Sequence, residues 1–219
     1  MLLFGHIGIT LGIFIVLGIL YPHINSIFNK KYLIIGALLP DLIDKPLGMV
    51  IFSSSLANGR IIGHILLFSV IILLIGLFLY DKKMDIRILS LATGSFFHLM
   101  EDKIWGDPIT LFWPLLGWGF PKDSVDRTGL EYLLVLINRS FHPQFSESYI
   151  TEILGIGVVV IFALYWIRNK LSKTNPKDTE TKNEEKEKPD TETAALYIIG
   201  SIIFGYLVVM AFSILQNQT

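Results

Sequence analysis

The fold class this sequence predicts is an all-α, polytopic membrane helix bundle, and three observations carry that prediction. First, 52% of the 219 residues are hydrophobic and only 17% are charged, with a mean hydropathy of +0.58. Soluble domains carry about a quarter charged residues, so this is the balance of a chain whose solvent is largely lipid. Second, the apolar residues fall into about six hydrophobic helices, some of them short or re-entrant, separated by polar turns. Third, histidines and aspartates stand at the ends of these apolar runs, where ionisable groups are costly without a purpose.

Composition also excludes whole classes of function. A net charge of −1 offers nothing to nucleic acid. The absence of cysteine removes disulfides, thiolate zinc sites and cysteine nucleophiles. The amino-terminal run is apolar from Leu2 and lacks a basic start and a small-residue cleavage site, so a retained helix is expected there.

Leu2 to Leu20 is the first span, rich in glycine (Gly5, Gly8, Gly12, Gly18) that lets helices approach closely, with His6 near its start. Tyr21-Pro22 ends it, and His23 to Lys31 is a polar, interfacial turn. Tyr32 to Ile43 is apolar but too short to cross comfortably. It closes on Pro40-Asp41-Leu42-Ile43-Asp44, where the proline is expected to break the helix and two aspartates follow. These acids are either helix caps or functional groups; two of them after a wholly apolar run favour function.

Lys45 to Gly59 is expected as an interfacial or re-entrant connection. A third helix is expected from Arg60 to Tyr80, which would place Arg60 and His64 on one face, one turn apart. The fourth, Ile88 to about Trp105, carries His98 and Asp102 with the same spacing, a pair suited to gripping a divalent ion. The bland alternative for that pair is a helix end whose polar groups meet lipid headgroups. From Gly106 to Ser148 no span is evident. Trp105, Trp113 and Trp118 among prolines suggest an interfacial fold, with an amphipathic helix near Leu130 to Ile137 and His142 in a loop.

Tyr149 to Ile167 is a further span. Arg168 to Glu192 mixes six lysines with seven acids, the composition of a disordered linker and a candidate docking segment for a protein partner. Ala194 to Leu215 is the last span. The chain thus divides into a membrane core (1–121), an interfacial segment (122–148), a transmembrane helix (149–168), a charged cytoplasmic linker (169–193) and a C-terminal transmembrane helix (194–219).

With the N-terminus outside and each run crossing, twelve Lys and Arg face the cytoplasm against six outside, the sense the positive-inside tendency favours. His6, Asp41, Asp44, His64, His98 and Asp102 then lie at one depth near the outer face. Chance polar residues would divide between the two faces. Three histidines and three aspartates together predict a nitrogen-and-oxygen site for a divalent metal.

Gly5-His6, Leu39-Pro40-Asp41-Leu42-Ile43-Asp44, Arg60 with Gly63-His64, His98 to Asp102, and Phe112-Trp113-Pro114-Leu115 together resemble a family of prokaryotic membrane-bound, metal-dependent hydrolases. These are the YdjM-like proteins, also described as LexA-binding inner-membrane proteins. The resemblance covers about Met1 to Pro121; the last two spans and the linker look like an addition to it. Many relatives carry Thr-His-Ser where this chain has Gly63-His64-Ile65. The family is in turn distantly similar to zinc-dependent phospholipase C. That similarity implies a phospholipase C-like helical core with His6, Asp41, His64, His98 and Asp102 as ligands. It implies one or two divalent ions, zinc foremost and manganese as an alternative, with Asp102 bridging if there are two.

The expected chemistry is hydrolysis of a phosphoester in a lipid or lipid-linked substrate by metal-activated water. Asp41 or Asp44 would orient the water or take its proton, and Arg60 would hold the phosphate unless it is a snorkelling headgroup anchor. His142 is a spare ligand candidate. Two other classes stay open: a transporter using the same groups, and a membrane scaffold with a structural metal. The localisation expected is the cytoplasmic membrane of a prokaryote, with the metal site on the outer side.

Overall fold

The computed structural model describes residues 3–122, 129–141, 147–172 and the single position 192. The expected C-terminal span, nearly all of the charged linker and His142 lie outside the described residues. All regular structure among the described residues is helical, in the order α1 (Leu3–Leu20), α2 (Ile24–Ile27), α3 (Lys30–Asp44), α4 (Leu66–Lys83), α5 (Arg87–Glu101), α6 (Pro108–Leu111), α7 (Leu130–Phe141) and α8 (Glu147–Ser172). A π-helical stretch, Lys45–Ile51, continues α3, and a 3-10 turn, Ile104–Gly106, follows α5.

Two helices among the described residues are long and apolar enough to cross a membrane: Leu3–Leu20, with mean hydropathy 2.3, and Thr151–Arg168 within α8, with 1.7. α3 and α5 have 15 residues each, about 22 Å at ~1.5 Å per residue, short of a ~30 Å hydrocarbon core. α4 has 18 residues and ends in Asp81-Lys82-Lys83. Its Leu67, Ile71, Leu74, Ile75 and Phe78 are nonetheless exposed at helical spacing, an apolar stripe turned outward as a lipid-facing surface requires.

The amino-terminal half packs α3 against α5, α5 against α4, and α1 against α3; α8 lies along α1. In the buried core, Phe14 meets Phe28 and Phe97 edge-on at centroid distances of 4.7 and 5.2 Å, with Leu33, Tyr80 and Leu89 in the same cluster. The α3–α5 approach is close because Gly36 and Gly94 face backbone: a Cβ on Gly36 would run into the Leu91 carbonyl, and one on Gly94 into that of Leu33. Helix propensity alone would make Gly36→Ala stabilising by about 1 kcal/mol. The clash with unyielding backbone reverses the sign, and we expect a loss of about 1–3 kcal/mol. A thermal melt of the purified variant that rises rather than falls would show that α3 and α5 are less tightly apposed.

Two local expectations are corrected. Pro40 does not break α3, which runs through it to Asp44 and then widens into the π-helical stretch. A proline deletes only its own N–H bond, and Pro40 is buried where neighbouring helices hold the backbone in place. The helix expected from Arg60 begins only at Leu66. Residues 58–65 form a loop whose amides at Ile61, Gly63 and His64 donate to the Asp44 carboxylate at 2.7, 2.7 and 3.1 Å, so they are not available for a helical turn. Among the described residues, the first span and the helices expected near Tyr32, Ile88, Leu130 and Tyr149 are present. α7 is amphipathic in sequence, and Trp113 packs on Trp118 and Phe120 in a compact aromatic loop.

Candidate metal centre

Each polar group reaches the centre from a different element. His6 comes from the first turns of α1, Asp41 from the last turn of α3, and His64 from the loop before α4. His98 lies in the last turn of α5, with Asp102 one turn on, its N–H bonded to the His98 carbonyl at 3.0 Å. Asp41, His64, His98 and Asp102 each turn one donor atom to a common point, the four atoms lying within 4.8 Å of one another.

The three imidazoles are all held by Nδ1. That of His64 donates to Asp44 Oδ2 at 2.7 Å, that of His98 to the Ala37 carbonyl at 2.7 Å, and that of His6 to Glu101 Oε2 at 2.7 Å. A carbonyl can only accept, so His98 must carry its proton on Nδ1 and present a lone pair at Nε2. By the same geometry His64 presents Nε2. These two Nε2 atoms stand 3.2 Å apart. Two facing lone pairs repel unless a proton or a cation lies between them, and two carboxylates converge on the same point. His64 Nε2 is 3.9 Å from Asp41 Oδ1 and 3.6 Å from Asp102 Oδ2, and His98 Nε2 is 3.8 Å from Asp41 Oδ1. Donors in a tetrahedral shell with ~2.0–2.2 Å metal bonds are separated by about 3.3–3.6 Å, close to these spacings. Imidazoles locked through their far nitrogen by a carboxylate or carbonyl are the usual second-shell arrangement of metal-binding histidines.

His6 supplies an independent test of the fit. Its Nε2 is fully buried and makes no hydrogen bond. Asp102 Oδ1 lies 3.3 Å away, and the ring stacks on His98 with centroids 4.1 Å apart. The two oxygens of Asp102 therefore face different histidines, Oδ1 toward His6 and Oδ2 toward His64, as a carboxylate able to bridge two ions would be placed. The residues present fit a divalent cation bound by nitrogen and oxygen. His6, Asp41, His64, His98 and Asp102 are all brought together.

Asp44 and Arg60 sit differently from the expectation. Asp44 is fully buried, and its oxygens are taken by three backbone amides and His64 Nδ1, which leaves neither facing the centre. Its place is that of a residue that orients His64, while Asp41, the other acid expected to handle water, turns an oxygen to the centre. Arg60, 41% exposed, donates to Asp102 Oδ2 at 3.0 Å from the outer rim. Lys45 pairs with Asp41 Oδ2 across one turn. Two cations thus flank the mouth of the site, each on one of its carboxylates.

Sequence reasoning missed two acids. Glu101, buried beside His98, accepts from His6 and from Thr10 Oγ1 at 2.9 Å. His6 and Thr10 are four apart on α1, and an acid inside an apolar run was the signal that could have found their partner. Glu152 on α8 is buried and accepts from the amides of Phe4 and Gly5 at 3.0 and 2.7 Å, holding the helix start that carries His6. α8 lies close enough for this because Gly8 and Gly155 face each other without side chains. The model of the YdjM inner membrane protein family matches residues 1–171, which takes in α8 as well as the core and so extends beyond the limit near Pro121 expected from the motifs. No curated protein and no solved structure matches the chain. On that match the chain, a helical membrane protein with a cluster able to hold a metal ion, belongs to the YdjM inner membrane protein family.

Proposed function

We propose that this protein is a membrane-embedded, metal-dependent hydrolase that cleaves a phosphoester in a lipid or lipid-linked substrate. The observation that carries the reading is the convergence of Nε2 atoms, each ring fixed from behind, on the carboxylates of Asp41 and Asp102. His64, His98, Asp41 and Asp102 would hold a first ion, and His6 with Asp102 a second; zinc suits this donor set best and manganese is accommodated. Such an ion lowers the pKa of bound water to about 7 and polarises a phosphoryl oxygen.

The protein groups divide the remaining work. Asp41, with an oxygen facing the centre, would accept the proton of the attacking water. Lys45 keeps the other oxygen of Asp41 engaged, which fixes the carboxylate plane. Arg60 is exposed enough to turn from Asp102 to a phosphate, and its planar fork suits two phosphoryl oxygens. Exposed Leu115, Leu116 and Trp118 on the aromatic loop, and the outward stripe of α4, favour a substrate that arrives with its own apolar tails from the bilayer.

The test is release of phosphate or phosphorylated headgroup from a panel of lipid phosphoesters by metal-loaded protein in bilayer discs, with chelation as control. Arg60→Ala is expected to raise KM about tenfold to a hundredfold with metal content unchanged, as loss of a charge-assisted phosphate contact does. A loaded, folded protein that leaves the whole panel intact, while moving an ion across vesicles, would replace the hydrolase reading with transport.

A further inference from the structure

A second site lies at the other end of α3 from the metal centre. α8 packs chiefly on α1, and between α8 and α3 a groove of about 920 Å³ is left open. Its depth is apolar, walled by Leu11 of α1, Ile34 of α3, and Val159 and Phe162 of α8. Its mouth is of another character: Lys30 and Lys31 from the first turn of α3, with Tyr165 and Trp166 from α8. The Lys30 ammonium stands 5.5 Å over the Phe162 ring, at the boundary between the two zones. Of the helices that wall it, α1 and α8 are long and apolar enough to cross a membrane, and in a bilayer the groove between them would open to lipid.

An apolar channel that ends at two lysines and an aromatic pair has the polarity of one amphiphile, a chain inside and an anion at the rim. Basic pockets between membrane helices hold anionic headgroups, and Trp and Tyr settle at headgroup depth. We infer that the groove between α1, α3 and α8 is a binding site for one anionic phospholipid of the leaflet that Lys30 and Lys31 face. The phosphate lies between the two ammonium groups and an acyl chain runs along Phe162 toward Leu11. The lipid supplies α8 with the packing against α3 that the described side chains leave open.

Native mass spectrometry of the full-length protein, with phosphatidylglycerol and phosphatidylcholine supplied in equal amounts, reads this directly. One phosphatidylglycerol per chain is expected, preferred about 10- to 30-fold, since each lysine near a lipid surface contributes about a factor of five. The Lys30→Gln, Lys31→Gln variant is expected to bring the preference to near parity. Ala163→Trp, which fills the groove and leaves both lysines in place, is expected to expel the lipid. Equal retention of both lipids by the native protein, or a preference that survives both variants, would overturn the proposal. So would a disulfide between Ala163→Cys and Phe204→Cys in this otherwise cysteine-free chain, which would give the groove to the chain's own C-terminal apolar run.

Discussion

The native protein is expected to hold one or two divalent ions per chain, and the His98→Ala, Asp102→Ala variant to keep its helical circular dichroism and lose more than nine-tenths of that metal. Two of the four donors that converge within 4.8 Å disappear together, and one of them, Asp102, is also the carboxylate beside His6. Losing a mere second-shell partner costs about 10–100-fold in metal affinity, and losing two direct donors costs more. Folding survives for a physical reason. Without a cation, Asp41 and Asp102 are like charges forced together in a buried site, and removing one relieves that repulsion. The orphaned Ala37 carbonyl costs about 1–3 kcal/mol in the other direction. The decisive reading is therefore a difference. Chelation should lower the melting temperature of the native protein, because a ligand bound only to the folded state stabilises it, and should leave the variant unmoved. Elemental analysis showing equal metal in both proteins would place the ion elsewhere. A chelator-insensitive melt of a metal-containing native protein would remove the centre from any role in holding the bundle.

How far the sequence goes toward this centre depends on whether a group sits on a regular element. His98 and Asp102 are one helical turn apart, and periodicity alone puts them on one face, as α5 does. His6 and Asp41 follow from helix direction: antiparallel runs return their polar ends to the same side. His64 reaches the centre by a route periodicity does not describe, a loop wound on the Asp44 carboxylate. Only long-range hydrogen bonds reveal that Asp44 stands behind the site while Asp41, three residues earlier, stands in it. Glu152 is the plainest case. It is close to 150 positions from Phe4 and Gly5, whose amides it accepts, and nothing local links them. The fit of Gly8 on Gly155 lets α8 come close enough for it. The motifs carry the resemblance only to about Pro121, while the family match runs to residue 171, for the same reason: α8 is joined to α1 by tertiary contact, and spacing carries no trace of that.

Replacing Asp44 separates the two roles an acid at that position could hold. A water base removed as Asp44→Asn would collapse kcat and leave metal affinity and the rest of the site alone. The geometry predicts the opposite order of effects. In Asp44→Asn the amide oxygen can take the place of Oδ2 and still accept from His64 Nδ1, while the NH2 group meets the Gly63 N–H; the charge that raises the ring's basicity is gone, so metal affinity should fall about 10–100-fold. Asp44→Ala goes further. It leaves the amides of Ile61, Gly63 and His64 without their acceptor in a fully buried position, and a destabilisation of about 3–5 kcal/mol follows from breaking such a network around a buried charge. The loop that carries His64 would then lose its shape along with its ligand. Metal titration of the Asn variant beside a thermal melt of the Ala variant gives both numbers. A native metal affinity in Asp44→Asn would return Asp44 to the reacting side of the centre. If affinity falls while excess metal restores the native melting behaviour, the residue acts through His64.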